Sequence, residues 1–142
     1  MNISTKGRYG LRAVLDLAAS YRDCGDKPVT LSAIASRQQL SEGYLEQLMS
    51  PMKKAGIIGS SRGAQGGYYL NRPPEQILVG EIFRALEGPL KLASCVAEQS
   101  ADICDKRANC GSAFIWEEIQ SAISSVLEKY TLADILAKEQ GE

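Results

Sequence analysis

Cys95, Cys104 and Cys110 stand in the run CVAEQSADICDKRANC, spaced C-x8-C-x5-C. A free cysteine usually behaves as a small buried hydrophobe among apolar neighbours. Here the neighbours are Ser94, Asp102, Asp105, Lys106, Arg107 and Asn109, so core packing does not account for three thiols in one stretch. Thiolates are soft ligands that suit iron–sulfur clusters, zinc and Cu(I). Structural zinc favours short paired spacings such as C-x2-C, and none occurs. A thiol switch is the other chemistry open to them, helped by Lys106 and Arg107, whose charge favours the thiolate. Clusters usually take four protein ligands. The fourth would come from Asp102 or Asp105, Cys24, a partner subunit or an exogenous group. Cys24, at the end of the first predicted helix, reads as an incidental thiol.

The chain of 142 residues contains no histidine. That excludes a histidine general base, a Cys–His nucleophile pair and any zinc site that needs imidazole. An accessory redox enzyme is the competing class, but it would have to assemble its acid, base and nucleophile without imidazole. The opening MNISTKGRYG lacks the apolar core of a signal peptide. No apolar run approaches the roughly 20 residues that span a bilayer. A cytoplasmic protein with no membrane association is expected, in a compartment where thiols stay reduced.

The elements that must position the thiols follow from periodicity. TKGRYGLRAVLDLAASYRD carries Leu11, Val14, Leu15, Leu17 and Ala18 at helical spacing, with Thr5 as the expected cap and Cys24-Gly25 as the end. Thr30 caps a short helix bearing Leu31, Ile34 and Ala35. QQL is a tight connector, and Ser41 caps a helix whose inner stripe is Leu45, Leu48, Met49 and Met52. Two short helices so joined read as helix-turn-helix. Pro51 predicts a kink or a fresh turn in the second, and Gly56 closes it. IIGSSRG and GYYLNR, punctuated by Gly63, Gly66 and Gly67, read as a hairpin. ILVGEIFRALEG gives a further helix ending at Gly88.

After the cysteine stretch, SAFIWEEIQSAISSVLEKY repeats its apolar positions over four turns or more. A helix that long cannot bury its face alone, so Ile115, Ile119, Ile123, Val126 and Tyr130 are expected to form a dimer seam. Thr131 caps a last helix, LADILAKE. The predicted fold is mainly α with a small β-hairpin: a winged helix-turn-helix over 1–88, a cysteine loop over 89–112, and a dimerisation helix with a C-terminal helix over 113–142.

Charge separates the halves. Residues 1–72 hold ten Lys/Arg against five acids, so that half is +5 and the rest −6 in a chain of net −1. A basic half beside an acidic one fits a polyanion-binding module joined to something else. On a winged helix, Gln47 can pair with an adenine edge and Glu46 can accept from cytosine N4. Gly43 shares their outward face, and Ser41 places a helix N-terminus near phosphate. Lys6, Arg8, Arg12, Lys53 and Lys54 are phosphate contacts, and Arg62 on its glycine-rich turn suits a narrow minor groove. A dimer would bind a double-stranded operator of two-fold symmetry.

STKGRYGLRAVLDLA, LSEGYLEQLMSPMKKAGII and SSRGAQGGYYL closely resemble the IscR/CymR/NsrR family of winged-helix regulators, over roughly residues 1–137. The resemblance implies a homodimeric transcription factor, mostly a repressor, with Tyr44 and Gly66 in its DNA-binding surface. It further implies an IscR-type iron–sulfur cluster, 2Fe-2S in preference to 4Fe-4S, on Cys95, Cys104 and Cys110, and control of cluster-biogenesis genes. The alternative within the family is a thiol-redox, nitric-oxide or partner-regulated repressor of sulfur or iron metabolism. The sequence departs from the pattern twice. Its first spacing is x8 where IscR and NsrR types usually have x5, and Ala113 stands near the place of a histidine found in enterobacterial-type IscR. Without metal the polar loop is expected to be mobile, and cluster binding to be coupled to its ordering.

Overall fold

The computed structural model describes residues 3–96 and 104–141. Helix α1 (Thr5–Cys24) is capped by Ser4, whose hydroxyl accepts from the Gly7 N–H at 3.3 Å. Thr5, the expected cap, is one residue inside the helix. Ser4 takes the role because it holds the extended backbone of a cap (φ −65°, ψ 160°). Its N–H also donates to Glu87 at 3.1 Å, and its hydroxyl meets the same carboxylate. Helix α2 (Leu31–Gln38) starts at Thr30, which accepts from the Ala33 N–H at 3.1 Å. It ends on Gln39 in the left-handed region, φ 56°.

Helix α3 (Glu42–Lys54) starts at Ser41, which accepts from the Tyr44 N–H at 3.2 Å. It runs through Pro51 as one helix, so no fresh turn begins there. Leu48, Met49 and Met52, all fully buried on both sides of the proline, hold the helix to the core. Gly56, at φ 79°, supplies the left-handed residue that ends α3. The Gly56 N–H donates to Lys53 O at 3.0 Å and the Ile57 N–H to Met52 O at 3.1 Å, the paired bonds of a Schellman stop.

Strands β1 (Ile58–Ser61) and β2 (Gly67–Leu70) pair antiparallel with Ile58 opposite Leu70 and Ser61 opposite Gly67. Val29 and Tyr68 exchange both backbone bonds at 2.8 Å, which ties the wing to the segment before α2. A 3-10 turn at Pro74–Gln76 leads into α4 (Val79–Glu87). Glu81 reaches back to accept from the Leu78 N–H at 2.9 Å and holds Arg72 at 2.5 Å. A second 3-10 turn, Arg107–Asn109, precedes α5 (Ala113–Lys129). Helix α6 (Leu132–Glu139) opens with a reciprocal cap between Thr131 and Asp134.

One core joins these elements. Val14, Leu17, Ile34, Leu45, Leu48, Met49, Met52, Ile57, Ile77 and Ile82 are at most 2% exposed. Burying each such side chain contributes about 1.5–3 kcal/mol. Leu132 and Leu136 bring α6 into the same core. The Val79 N–H donates to Tyr130 O at 2.9 Å and the Leu132 N–H to Ile77 O at 3.0 Å, so the C-terminal end of α5 is stapled beside the start of α4. Among the described residues no helix is long and apolar enough to cross a membrane.

Candidate DNA-reading face and cysteine centre

The α2–α3 pair has the connection of a helix-turn-helix. Gln39 turns left-handed, and the Leu40 N–H reaches back to Ala35 O at 3.0 Å. Because α3 buries Leu45, Leu48, Met49 and Met52, the opposite side presents Gly43, Glu46, Gln47 and Ser50 to solvent. Lys53 and Lys54, exposed in its last turn, favour the negative end of the helix dipole. Tyr44 is half-buried, edge-on to Tyr9 with ring centroids 6.2 Å apart. The Arg8 and Arg12 guanidinium carbons lie 5.9 and 5.3 Å from the centre of the Tyr9 ring. The first turns of α1 and α3 therefore meet at an aromatic pair flanked by cations.

Not every expected cation is free to meet phosphate. Arg12 donates to the Gln38 side chain at 3.2 Å and to Gln38 O at 3.4 Å. Arg37, one of the positive charges of the basic half, pairs with Asp16 at 2.5 Å, and Arg72 with Glu81 and Gln76 O. Lys6, Arg8, Lys53, Lys54 and Arg62 are exposed.

Arg62 sits on the β1–β2 turn. Gly66 is required there, since a Cβ would stand 2.4 Å from Ser61 O and 2.8 Å from the Arg62 carbonyl carbon. The wing packs close to the reading helix. Burial, and then the charge of Glu46, raise the Tyr68 hydroxyl above the usual tyrosine range.

All four cysteines are free thiols: Cys95 is half-buried, and Cys24, Cys104 and Cys110 are exposed. Cys104 and Cys110 open on one cavity of about 660 Å³, shared with Asp105, Ala113, Phe114 and Glu117 at the N-terminal end of α5. Cys95 is not part of its lining. Among the described residues no three or more Cys, Asp or Glu side chains gather closely enough to hold a metal ion. Asp102 and the mobility expected of the empty loop fall on 97–103, outside the described residues. The donor chemistry nonetheless fits a soft-metal group, because two thiols share a cavity and one is biased toward thiolate. The Cys110 thiol is held below its usual pKa by the Ser112 hydroxyl, 3.1 Å away, and by the N–H groups of Ser112 and Ala113.

Helix α5 buries only Ala113 and Gln120. Ile115, Val126 and Tyr130 are exposed, Ile119 and Ile123 half-buried, and Phe114 and Trp116 add further exposed apolar area. A groove of about 760 Å³ runs between α5 and the end of α4, walled by Phe83, Pro89, Leu90, Leu92, Ile123 and Val126. Gln120 was not legible from the sequence, since a lone glutamine in an amphipathic helix reads as surface. Glu117, on the cysteine cavity, and Tyr9, between two arginines, carried no stronger signal.

Residues 3–138 match the model of the Rrf2 family, described as an iron-dependent transcriptional regulator. The HTH-type transcriptional regulator CymR of Bacillus subtilis is 41% identical over 142 residues, 100% of this chain and 94% of that protein. IscR of Aliivibrio salmonicida is 34% identical over 140 residues, 99% of this chain and 80% of that protein. Among solved structures, CymR, the global cysteine regulator of B. subtilis, superposes with a TM-score of 0.79 at 38% identity, over 97% of this chain and 98% of that one. IscR of T. potens does so with a TM-score of 0.73 at 43% identity, over 98% and 88%.

Proposed function

Because this chain belongs to the Rrf2 family of transcriptional regulators, we propose that it is a cytoplasmic, homodimeric repressor that senses iron–sulfur cluster status and controls cluster-biogenesis genes. Residues 1–88 read duplex DNA, 89–112 carry the sensor, and 113–142 pair the subunits. The observation that carries the reading is the cavity at the start of α5 onto which Cys104 and Cys110 both open. Cys95, at the far side of the same loop, supplies the third thiolate.

The residues divide the work. Gln47 and Glu46 face base edges, Glu46 selecting between sites because an unmatched carboxylate near phosphate is repelled. Lys6, Arg8, Lys53, Lys54 and Arg62 bring the duplex in, with Arg62 aimed at the minor groove. Arg12 works through Gln38 and Tyr9, stiffening the approach of α1 to the helix-turn-helix. The Ile115, Ile119, Ile123, Val126 and Tyr130 face of α5 joins two copies, which sets the half-site spacing of a two-fold operator. A cluster, 2Fe-2S in type, would supply a redox- and oxygen-sensitive group whose loss frees the loop between α4 and α5.

Anaerobic purification tests this, with a visible spectrum and iron and sulfide content. Coloured protein with matched iron and sulfide is expected; colourless, zinc-loaded protein overturns the reading. Serine at all three sulfur positions should then change operator affinity relative to the loaded wild type. One observation favours a second reading, a thiol-redox switch. Cys110 is exposed and biased toward thiolate by Ser112 and the first N–H groups of α5. Under that reading, peroxide alone shifts DNA affinity in iron-free protein and dithiothreitol restores it.

A further inference from the structure

Among the described residues Gln120 is the one polar residue buried as a whole, backbone and side chain together, at 8% exposure. A carboxamide removed from water is unfavourable unless both its ends find partners. Here both do, and on one stretch of backbone. Gln120 Nε2 donates to Leu90 O at 2.9 Å, and Gln120 Oε1 accepts from the Leu92 N–H at 3.2 Å. The pattern is that of a neighbouring strand presenting one peptide group. Helix α5 cannot offer such a group from its main chain, whose N–H and C=O groups are spent inside the helix. A glutamine on the flank is a side chain that carries donor and acceptor side by side.

The stretch so held leads directly to the first sulfur. Two residues, Ala93 and Ser94, separate Leu92 from Cys95, with a turn closed by the Val96 N–H on Ala93 O at 3.1 Å. Two helical turns before Gln120, the same helix begins at Ala113, on the cavity that Cys104 and Cys110 share. We propose that Gln120 is a positioning residue of the three-cysteine centre: its carboxamide clasps Leu90–Leu92 to α5 and so fixes where Cys95 leaves the body relative to the other two thiols. The proposal rests on the sensor reading above and names a side chain that touches no sulfur.

The test begins with metal-free, full-length protein. In the wild type the Leu92 amide should be protected from hydrogen exchange; exchange at the rate of an open peptide overturns the proposal without any variant. Gln120→Met keeps the volume and removes both bonds. It should speed Leu92 exchange and maleimide labelling of Cys95 by about tenfold, the loss of one to two net hydrogen bonds. Labelling of Cys24, Cys104 and Cys110 should stay within about twofold. Gln120→Glu, which can still accept from Leu92 but opposes a carboxylate to Leu90 O, should fall between. Unchanged Cys95 labelling in both variants overturns the proposal.

Loading with ferrous iron and sulfide under anaerobic conditions is the second arm. Gln120→Met should show an altered visible spectrum and a cluster lifetime in air at least about threefold shorter, with a melting temperature within about 5 °C of the wild type. An identical spectrum and lifetime overturn the positioning role. If the wild type takes up no iron and sulfide while Cys95 labelling still depends on Gln120, the sensor reading fails and the clasp stands.

Discussion

Asp16→Ala tests how rigidly the helix-turn-helix is mounted on α1. The Asp16 side chain is 5% exposed, whereas its partner Arg37 is 49% exposed. The carboxylate accepts from Arg37 Nε at 2.9 Å and Nη2 at 2.5 Å, and from Gln38 Nε2 at 2.9 Å. Bonds to a charged group contribute about 1.5–3 kcal/mol each before any compensation. Three such contributions do not add. Arg37 returns half-exposed to water when its partner is lost, and the variant no longer bears the desolvation of a buried carboxylate. The expected net loss is about 2–3 kcal/mol, most of it from the stranded Gln38 amide and the space left behind. With a urea dependence of about 1–3 kcal/mol per molar, the unfolding midpoint should fall by roughly 0.7–3 M at an unchanged slope. Arg37→Ala should cost a comparable amount, because it takes two of the three bonds from a carboxylate that is itself removed from water and leaves it leaning on Gln38. A midpoint shift worth under about 0.5 kcal/mol for Asp16→Ala would refute the claim that this carboxylate anchors α2 to α1.

Gly10→Ala would place a methyl group 2.3 Å from Leu86 Cδ1, and should destabilise the α1–α4 contact by about 1–3 kcal/mol in the same urea assay. Val126→Asp puts a charge on a side chain that is 56% exposed in one copy; sedimentation should show monomer with unchanged helix content, and a persisting dimer would remove α5 as the seam. Lys54→Ala should weaken binding to different operators about equally and lower the log–log salt slope by about one, read by fluorescence anisotropy across salt. Asp134 lies below the usual carboxylate range because the Thr131 N–H and hydroxyl bond to it. A depressed folded pKa stabilises above the unfolded value and is lost as pH falls through the folded one. The melting-temperature gap between wild type and Asp134→Ala should therefore be full at neutral pH and close on acidification.

Much of the reading half was legible because its signals are local. Thr30, Ser41, Gly56 and Gly88 announce helix ends, and the Leu45–Leu48–Met49–Met52 stripe declares which side of α3 is buried. The tertiary contacts were not. Thr5 and Ser4 are both hydroxyl residues, and the choice between them is made by Glu87, 83 positions away. Pro51 argued for a kink or a fresh turn, and no fresh turn begins there, because a local rule cannot weigh Met49 and Met52 buried beside it. Counting charges gave the right sign for the first half but could not show that Arg37 and Arg72 are already paired within the fold. Cys104 and Cys110 share a cavity whose lining leaves out Cys95, a division that the spacing of three thiols does not reveal. Gln120 offers no pattern to read, since its two partners lie on a segment with no periodicity of its own.

The staple between residues 77–79 and 130–132 has a mechanical consequence. Helix α5 is anchored at its C-terminal end, and its 17 residues carry it about 25 Å to the cysteine cavity. Geometry amplifies: a tilt of about 5° at the anchored end sweeps the far tip through about 2 Å, on the order of one metal–sulfur bond length. Gain of this kind runs in both directions, so a small tug at the tip would be felt at the pivot as torque on α4.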